Sequence, residues 1–151
     1  LKMSTIEHID RGPSNIVVST VLLTKPGIIL SVAFTGFAGM VLASRGFPSF
    51  SLTAEALLSL LLSAGGAAIL NNVLDRRIDI LMSRLNKRVD ALAVIGEKAA
   101  VAIAFVFIAV SLFVSFYYLN VVNAVLTIAA ILSYALLYTL YLKRSSPYGT
   151  I

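Results

Sequence analysis

Four long apolar stretches, almost free of charge, alternate with polar segments along the 151-residue chain. They cover approximately residues 28–44, 52–74, 99–119 and 121–142. A helix needs about 20 mostly apolar residues to cross the hydrocarbon core of a bilayer, and each stretch approaches that length. Strands of a membrane barrel would alternate in polarity, which residues 101–116 do not. The pattern therefore predicts an all-α polytopic membrane helix bundle with four transmembrane helices.

The boundaries of these stretches carry local signals. Pro26 precedes the first stretch, and proline is favoured at a helix start because its missing N–H is not needed there. Only a tight turn near Asn120 separates the third and fourth stretches, which predicts an antiparallel hairpin. Residues 1–24 begin polar and lack the pattern of a cleavable signal peptide, so we interpret them as a cytoplasmic N-terminal segment ending in a short interfacial stretch. Residues 25–151 are expected to form one transmembrane domain.

Composition supports the membrane assignment. Hydrophobic residues make up 59% of the chain and charged residues 13%, whereas soluble domains carry about 25% charged residues. Soluble enzymes and nucleic-acid-binding domains are therefore disfavoured, and membrane lipid is the expected surrounding. The absence of cysteine excludes disulfides and thiolate metal sites, and the single histidine, His8, is interpreted as a solvated residue.

The basic residues predict an orientation. Eleven of the twelve lie before the first stretch, between the second and third, or after the fourth, and only Arg45 lies on the other side. Lys and Arg are enriched in cytoplasmic loops. We therefore expect a multi-pass protein of the plasma membrane with both termini and the loop of residues 75–98 in the cytoplasm.

Candidate chemistry begins where the second stretch ends. Asn71, Asp75 and Asp79 are spaced four residues apart, so at about 100° per residue they share one helix face. Carboxylate and amide oxygens suit Mg²⁺, which usually combines one or two carboxylates with substrate phosphate oxygens. Pairing of the two aspartates with nearby arginines is the alternative. The small residues at 63–68 favour close helix packing.

Several cations are expected near the same membrane face, together with one tyrosine. They could neutralise a diphosphate and help it to leave, while a tyrosine ring could stabilise a carbocation or simply belong to an interfacial belt. The candidate diphosphate-binding residues are Arg84, Lys87, Arg88, Lys143 and Arg144, and the candidate cation-stabilising residue is Tyr138.

The run from Ala67 to Asp79 resembles the first Asp-rich motif, N-x-x-x-D-x-x-x-D, of the UbiA-type intramembrane prenyltransferases. The stretch L-T-K-P at residues 23–26 and Y-T-x-x-L-K-R at 138–144 are similar to the protohaem IX farnesyltransferase (haem O synthase) branch of that superfamily. The resemblance covers the N-terminal half only, about half of a nine-helix fold. We therefore interpret the chain as truncated, with a second chain as one source of the remaining helices.

This resemblance implies an enzyme that transfers a farnesyl group from farnesyl diphosphate to a vinyl group of haem b, with addition of water, giving haem O. It implies Mg²⁺ held by Asn71, Asp75 and Asp79, with the two aspartates as catalytic residues. One alternative is a prenyltransferase for a quinone or lipid acceptor. Another is an inactive fragment or a non-catalytic membrane protein, and a small transporter is disfavoured because no charge lies in the middle of any predicted span.

Overall fold

The computed structural model describes residues 15–79 and 86–134, and all regular structure within these ranges is helical. In chain order the helices are α1 (Ile16–Leu23), α2 (Pro26–Ala43), α3 (Phe50–Asp79), α4 (Asn86–Ile95), α5 (Glu97–Val114), which continues as a π-helical turn (Ser115–Leu119), and α6 (Val121–Leu132).

Among the residues described, three helices are long and apolar enough to cross a membrane, and they correspond to the first three predicted spans: Pro26–Ala43, Phe50–Arg76 and Glu97–Leu119. The fourth predicted span begins as α6, which is apolar over its 12 residues. The part of that span beyond residue 134 lies outside the described residues. The predicted all-α membrane helix bundle is confirmed.

A sharp bend joins α1 to α2. The side chain of Asn15 caps α1 by accepting a hydrogen bond from the backbone N–H of Val17 at 2.9 Å. Lys25 then adopts the left-handed conformation, with φ 58° and ψ 68°, and Pro26 opens α2. The short apolar stretch before the first span is thus a helix, and the bend fixes the position of Lys25 between two helices.

The long helix α3 packs closely against α5 through small residues. Ser63, Gly65, Gly66, Ala67 and Ala68 are all buried. A Cβ atom at Gly66 would lie 2.9 Å from both the carbonyl oxygen of Ala104 and Cγ1 of Ile108. The packing role predicted for residues 63–68 is therefore confirmed.

Nearer the start of α3 and the end of α5, buried hydroxyl groups join these two helices. The hydroxyl of Ser59 lies 3.0 Å from that of Ser111 and 2.6 Å from that of Ser115. Asn123 of α6 donates a further hydrogen bond to Ser115 at 3.0 Å. Interhelical hydrogen bonds of this kind stabilise membrane bundles modestly, and here they connect α3, α5 and α6.

Residues 86–95 form α4, within the region that the sequence had predicted to be a loop. Ala91 and Leu92 of α4 are buried in one cluster with Leu23 and Ile69, which belong to α1 and α3. Ten residues with three charges are too short and too polar to be recognised as a span. Burial of one apolar face against α1 and α3 accounts for the helix.

Candidate functional site

Two of the polar residues predicted to share one face of the second span do so in α3. Asn71 and Asp75 are buried, with 3% and 1% of their surface exposed. Nδ2 of Asn71 donates a hydrogen bond to Oδ2 of Asp75 at 3.0 Å, as side chains four residues apart on a helix can do. The helix continues unbroken to Asp79, whose side chain lies outside the described part of the chain.

Lys25 reaches this pair from the bend between α1 and α2. Its Nζ atom donates a hydrogen bond to Oδ1 of Asn71, across 46 positions of sequence. An amide group has a donor end and an acceptor end, and Asn71 directs them to opposite charges. The ammonium, the amide and the Asp75 carboxylate therefore form one polarised chain at this end of the bundle.

A cationic pocket of about 420 Å³ opens beside Lys25. Lys25, Lys87 and Arg88 line it, together with Pro26 and Gly27 of the first turn of α2. Lys87 and Arg88 belong to α4, so the pocket lies between the start of α2 and a cationic part of α4. Lys and Arg side chains bind phosphate oxygens readily, so the pocket is suited to an anion with several oxygens.

An apolar cavity of about 230 Å³ adjoins the cationic pocket. Residues of α2, α3 and α6 line it, among them Val32, Leu60, Ala67 and Ile131. Ile28 lines both the cavity and the cationic pocket, so the two spaces share a wall. One space therefore offers cationic side chains and the other an apolar surface, on the two sides of Ile28.

Arg76 and Asn72 hold the surrounding helices together. Arg76 forms an ion pair with Glu97 at the start of α5. Nδ2 of Asn72 donates a hydrogen bond to the carbonyl oxygen of Leu23 at 2.6 Å. These contacts tie α3 to α1 and α5 around the Asn71–Asp75 pair.

Four other predicted site residues lie outside the described residues: Arg84, Tyr138, Lys143 and Arg144. Their proposed roles stay predictions. Of the five predicted diphosphate-binding cations, Lys87 and Arg88 are described, and both line the cationic pocket.

Lys25 is the site residue that motif spacing did not single out. Its sequence signal is a cation directly before a helix-opening proline, which places the side chain at a helix N-terminus. Its contact with Asn71 depends on the packing of α2 against α3, which local sequence does not reveal.

The donor set at Asn71 and Asp75 fits Mg²⁺ only in combination with other ligands. Both residues offer hard oxygen atoms, the type that Mg²⁺ prefers. No group of three or more His, Cys, Asp or Glu side chains that could hold a metal occurs among the residues described. Mg²⁺ would therefore need further oxygens, and phosphate oxygens in the adjacent cationic pocket are a suitable source.

The fold and the site together define a class: an integral membrane helix bundle with buried polar residues and a cationic pocket at one end. Comparison with known families then identifies the family within this class. Residues 32–151 match the UbiA prenyltransferase family, and the chain belongs to that family.

Curated relatives carry a narrower name. The chain is 39% identical over 129 residues to protoheme IX farnesyltransferase 1 of Pseudomonas entomophila and 40% identical over 131 residues to that of Pseudomonas putida. It is 37% identical over 129 residues to protoheme IX farnesyltransferase of Marinobacter nauticus. Each alignment covers 85% of this chain but 43% of the relative. No solved structure matches the chain significantly.

Proposed function

We propose that this chain contributes the diphosphate-binding half of a prenyltransferase that attaches the farnesyl group of farnesyl diphosphate to a vinyl group of haem b, with addition of water, giving haem O and diphosphate. The observation that carries this proposal is the cationic pocket of Lys25, Lys87 and Arg88, which shares Ile28 with an apolar cavity. A prenyl diphosphate has the matching division into an anionic head and an apolar tail.

Each described residue has a role in this proposal. Lys87 and Arg88 bind the diphosphate oxygens, Arg with its planar fork and Lys as a point charge. Their charges favour departure of the diphosphate, which takes the electron pair of the broken C–O bond and leaves an allylic cation on the prenyl group. The apolar cavity keeps the prenyl chain away from water until the cation has reacted.

Asn71 and Asp75 are the proposed protein ligands of Mg²⁺, with Asp79 as a third ligand predicted from the sequence motif. Bound there, Mg²⁺ would neutralise phosphate charge and so assist the leaving group. Asp75 is held by the hydrogen bond from Asn71, which keeps one carboxylate oxygen oriented within a buried helix face. Arg84, Lys143 and Arg144 are further proposed diphosphate contacts, and Tyr138 is the proposed cation-stabilising ring.

The choice of haem b as acceptor rests on the names of the relatives and on the L-T-K-P and Y-T-x-x-L-K-R stretches. Because the chain spans 43% of the length of the relatives it matches, we propose that a complete site takes its remaining helices from a further segment or a second chain. We place the site at the cytoplasmic face of the plasma membrane, where eleven of the twelve basic residues are expected.

A direct experiment supplies membranes containing the chain with radiolabelled farnesyl diphosphate and, separately, haem b or an aromatic quinone precursor. The chain is tested alone and co-expressed with the C-terminal half of the Pseudomonas putida relative. Labelled haem O formed with either preparation, and no labelled quinone precursor, is the expected result. Labelled quinone precursor would favour the alternative acceptor, and no product from either preparation would contradict the proposal.

Two carboxylate variants of α3 provide the matched control. Asp75→Asn removes the proposed metal ligand, and we expect it to reduce turnover at least about 100-fold, the scale seen when charge stabilisation of a transition state is lost. Glu55→Gln removes a carboxylate near the other end of the same helix, where Glu55 accepts a hydrogen bond from Ser51. It should retain activity within a few-fold of the unaltered chain.

A further inference from the structure

The side chain of Lys25 contributes to two neighbouring parts of the site. Its ammonium donates a hydrogen bond to Oδ1 of Asn71, and its side chain also lines the cationic pocket with Lys87 and Arg88. The amide orientation of Asn71 is fixed by its neighbours, because rotation by half a turn would direct its oxygen at the Asp75 carboxylate and its NH₂ at the ammonium. The oxygen of Asn71 therefore faces Lys25.

That oxygen is also the only atom of the Asn71 side chain that a hard cation accepts as a ligand. An ammonium and a divalent ion at the same amide oxygen would repel each other strongly, because the site is buried and poorly screened. Lys25 and a divalent ion thus compete for one atom.

The displaced ammonium has a second destination within reach. The left-handed backbone at Lys25, followed by Pro26, fixes its Cα atom at the bend between α1 and α2. The flexible four-carbon stem of lysine allows one ammonium to occupy different positions about a fixed Cα atom. The cationic pocket lies directly beside that stem, and an anion there would attract the ammonium.

We propose that Lys25 is a shared cation, which competes with a divalent ion for Oδ1 of Asn71 and binds the diphosphate in the cationic pocket once the ion has displaced it. This inference rests on the proposed function, since it assigns a positioning residue to the same diphosphate site. Binding of the metal displaces the ammonium from Asn71 towards the pocket, where it attracts the diphosphate. Bound diphosphate in turn holds the ammonium in the pocket, so that Oδ1 of Asn71 is accessible to the metal. Each ligand therefore strengthens binding of the other.

The test measures two affinities, which removal of the Lys25 charge should change in opposite directions. The purified chain, in nanodiscs of zwitterionic lipid, is titrated with Mn²⁺ alone, followed by electron paramagnetic resonance, and with inorganic pyrophosphate in the absence of divalent ions. For Lys25→Met we expect about tenfold tighter binding of Mn²⁺ and about tenfold weaker binding of pyrophosphate, the scale of one charge-assisted hydrogen bond.

Lys98→Met is the matched control. Lys98 lies in the first turn of α5, is exposed, and is at the end of the bundle where Arg76 pairs with Glu97. Its replacement removes the same charge, so both affinities should change by less than about twofold. Lys25→Arg keeps the charge and should hold the pyrophosphate affinity within about threefold. A Lys25→Met protein that behaves like Lys98→Met, or that binds both probes more weakly, would overturn the proposal.

A measurement on the unaltered chain avoids dependence on the folding of a variant. Acetylation of lysine side chains is followed by mass spectrometry, with Lys98 as the internal reference. Reactivity of Lys25 should rise when Mn²⁺ is added and fall when pyrophosphate follows. Unchanged reactivity of Lys25 while Mn²⁺ is bound would refute the shared role.

The outcomes also separate this inference from the proposed function. If binding of Mn²⁺ to the unaltered chain requires Asp75, the metal site stands, and the Lys25 variants decide the inference alone. If Mn²⁺ does not bind in that manner, both proposals fail together.

Discussion

At the residue scale, buried polar side chains at the end of α3 each have a defined partner. Asn71 lies between a cation and a carboxylate, and Asn72 holds the carbonyl of Leu23. Buried polar groups are costly unless they are hydrogen-bonded. Two adjacent asparagines therefore serve different purposes: one faces the site and the other anchors α1.

The anchoring role of Asn72 can be measured. Leu23 belongs to the buried cluster of α1, α3, α4 and α5, and Asn72→Ala leaves its carbonyl without a side-chain donor. We expect the free energy of unfolding to fall by about 1–3 kcal/mol. Unfolding in mixed micelles of increasing dodecyl sulfate content, followed by circular dichroism, gives the value. Unchanged stability would show that the hydrogen bond contributes little.

The sequence predicted part of this residue-scale picture. Spacing alone placed Asn71 and Asp75 on one face, because a helix has a fixed period. It could not predict that Lys25 would meet Asn71, since that contact joins residues 46 positions apart and depends on how the helices pack. The predicted roles of Asp79, Arg84, Tyr138, Lys143 and Arg144 concern side chains that the structure leaves undescribed.

At the scale of the elements, close approach of α3 and α5 decides the shape of the bundle. Gly66 lies where a Cβ atom would meet the backbone oxygen of Ala104. A backbone contact is not relieved by a side-chain rotation, so the helices would have to separate. Small residues at such crossings allow the van der Waals contact that holds membrane helices together.

A pair of glycine variants tests this crossing. Gly66→Ala should lower the free energy of unfolding by about 1–3 kcal/mol, the usual cost of overpacking. Gly39→Ala adds the same methyl group within α2, where a Cβ atom would have no neighbour within 4 Å, and should be neutral or slightly stabilising because alanine favours helix. Equal stabilities of the two variants in the dodecyl sulfate titration would contradict close α3–α5 packing.

Element boundaries were predictable where hydrophobicity changes abruptly. Pro26 and the turn at Asn120 mark helix starts in both sequence and structure. Helix α4 was missed because charged residues mask its apolar face, and because its stability comes from burial of Ala91 and Leu92 against other elements.

At the scale of the whole molecule, charge and aromatic residues distinguish the two ends of the bundle. The cationic pocket lies at the end where α2 begins and α3 ends. Exposed aromatic side chains lie at the opposite end, including Phe47, Phe50, Tyr117 and Tyr118. Basic loops favour the cytoplasm, and aromatic residues favour membrane interfaces.

Single-cysteine variants test this orientation cleanly, because the chain contains no cysteine. Phe47→Cys, at a position with 87% of its surface exposed, should react with a membrane-impermeant maleimide applied to intact cells. Lys98→Cys should react only after the membrane is opened. The reverse labelling pattern would mean that the cationic pocket faces away from the cytoplasm.

The central claim is that Asp75 and the cationic pocket bind a prenyl diphosphate together with a divalent ion. Its most direct test is the equilibrium binding of farnesyl thiodiphosphate, an unreactive analogue, to the chain in nanodiscs with and without Mg²⁺. We expect Mg²⁺ to tighten binding of the analogue at least about tenfold. This effect should vanish in Asp75→Asn, whereas Glu55→Gln should behave as the unaltered chain. Binding of the analogue by Asp75→Asn with an undiminished response to Mg²⁺ would contradict the account.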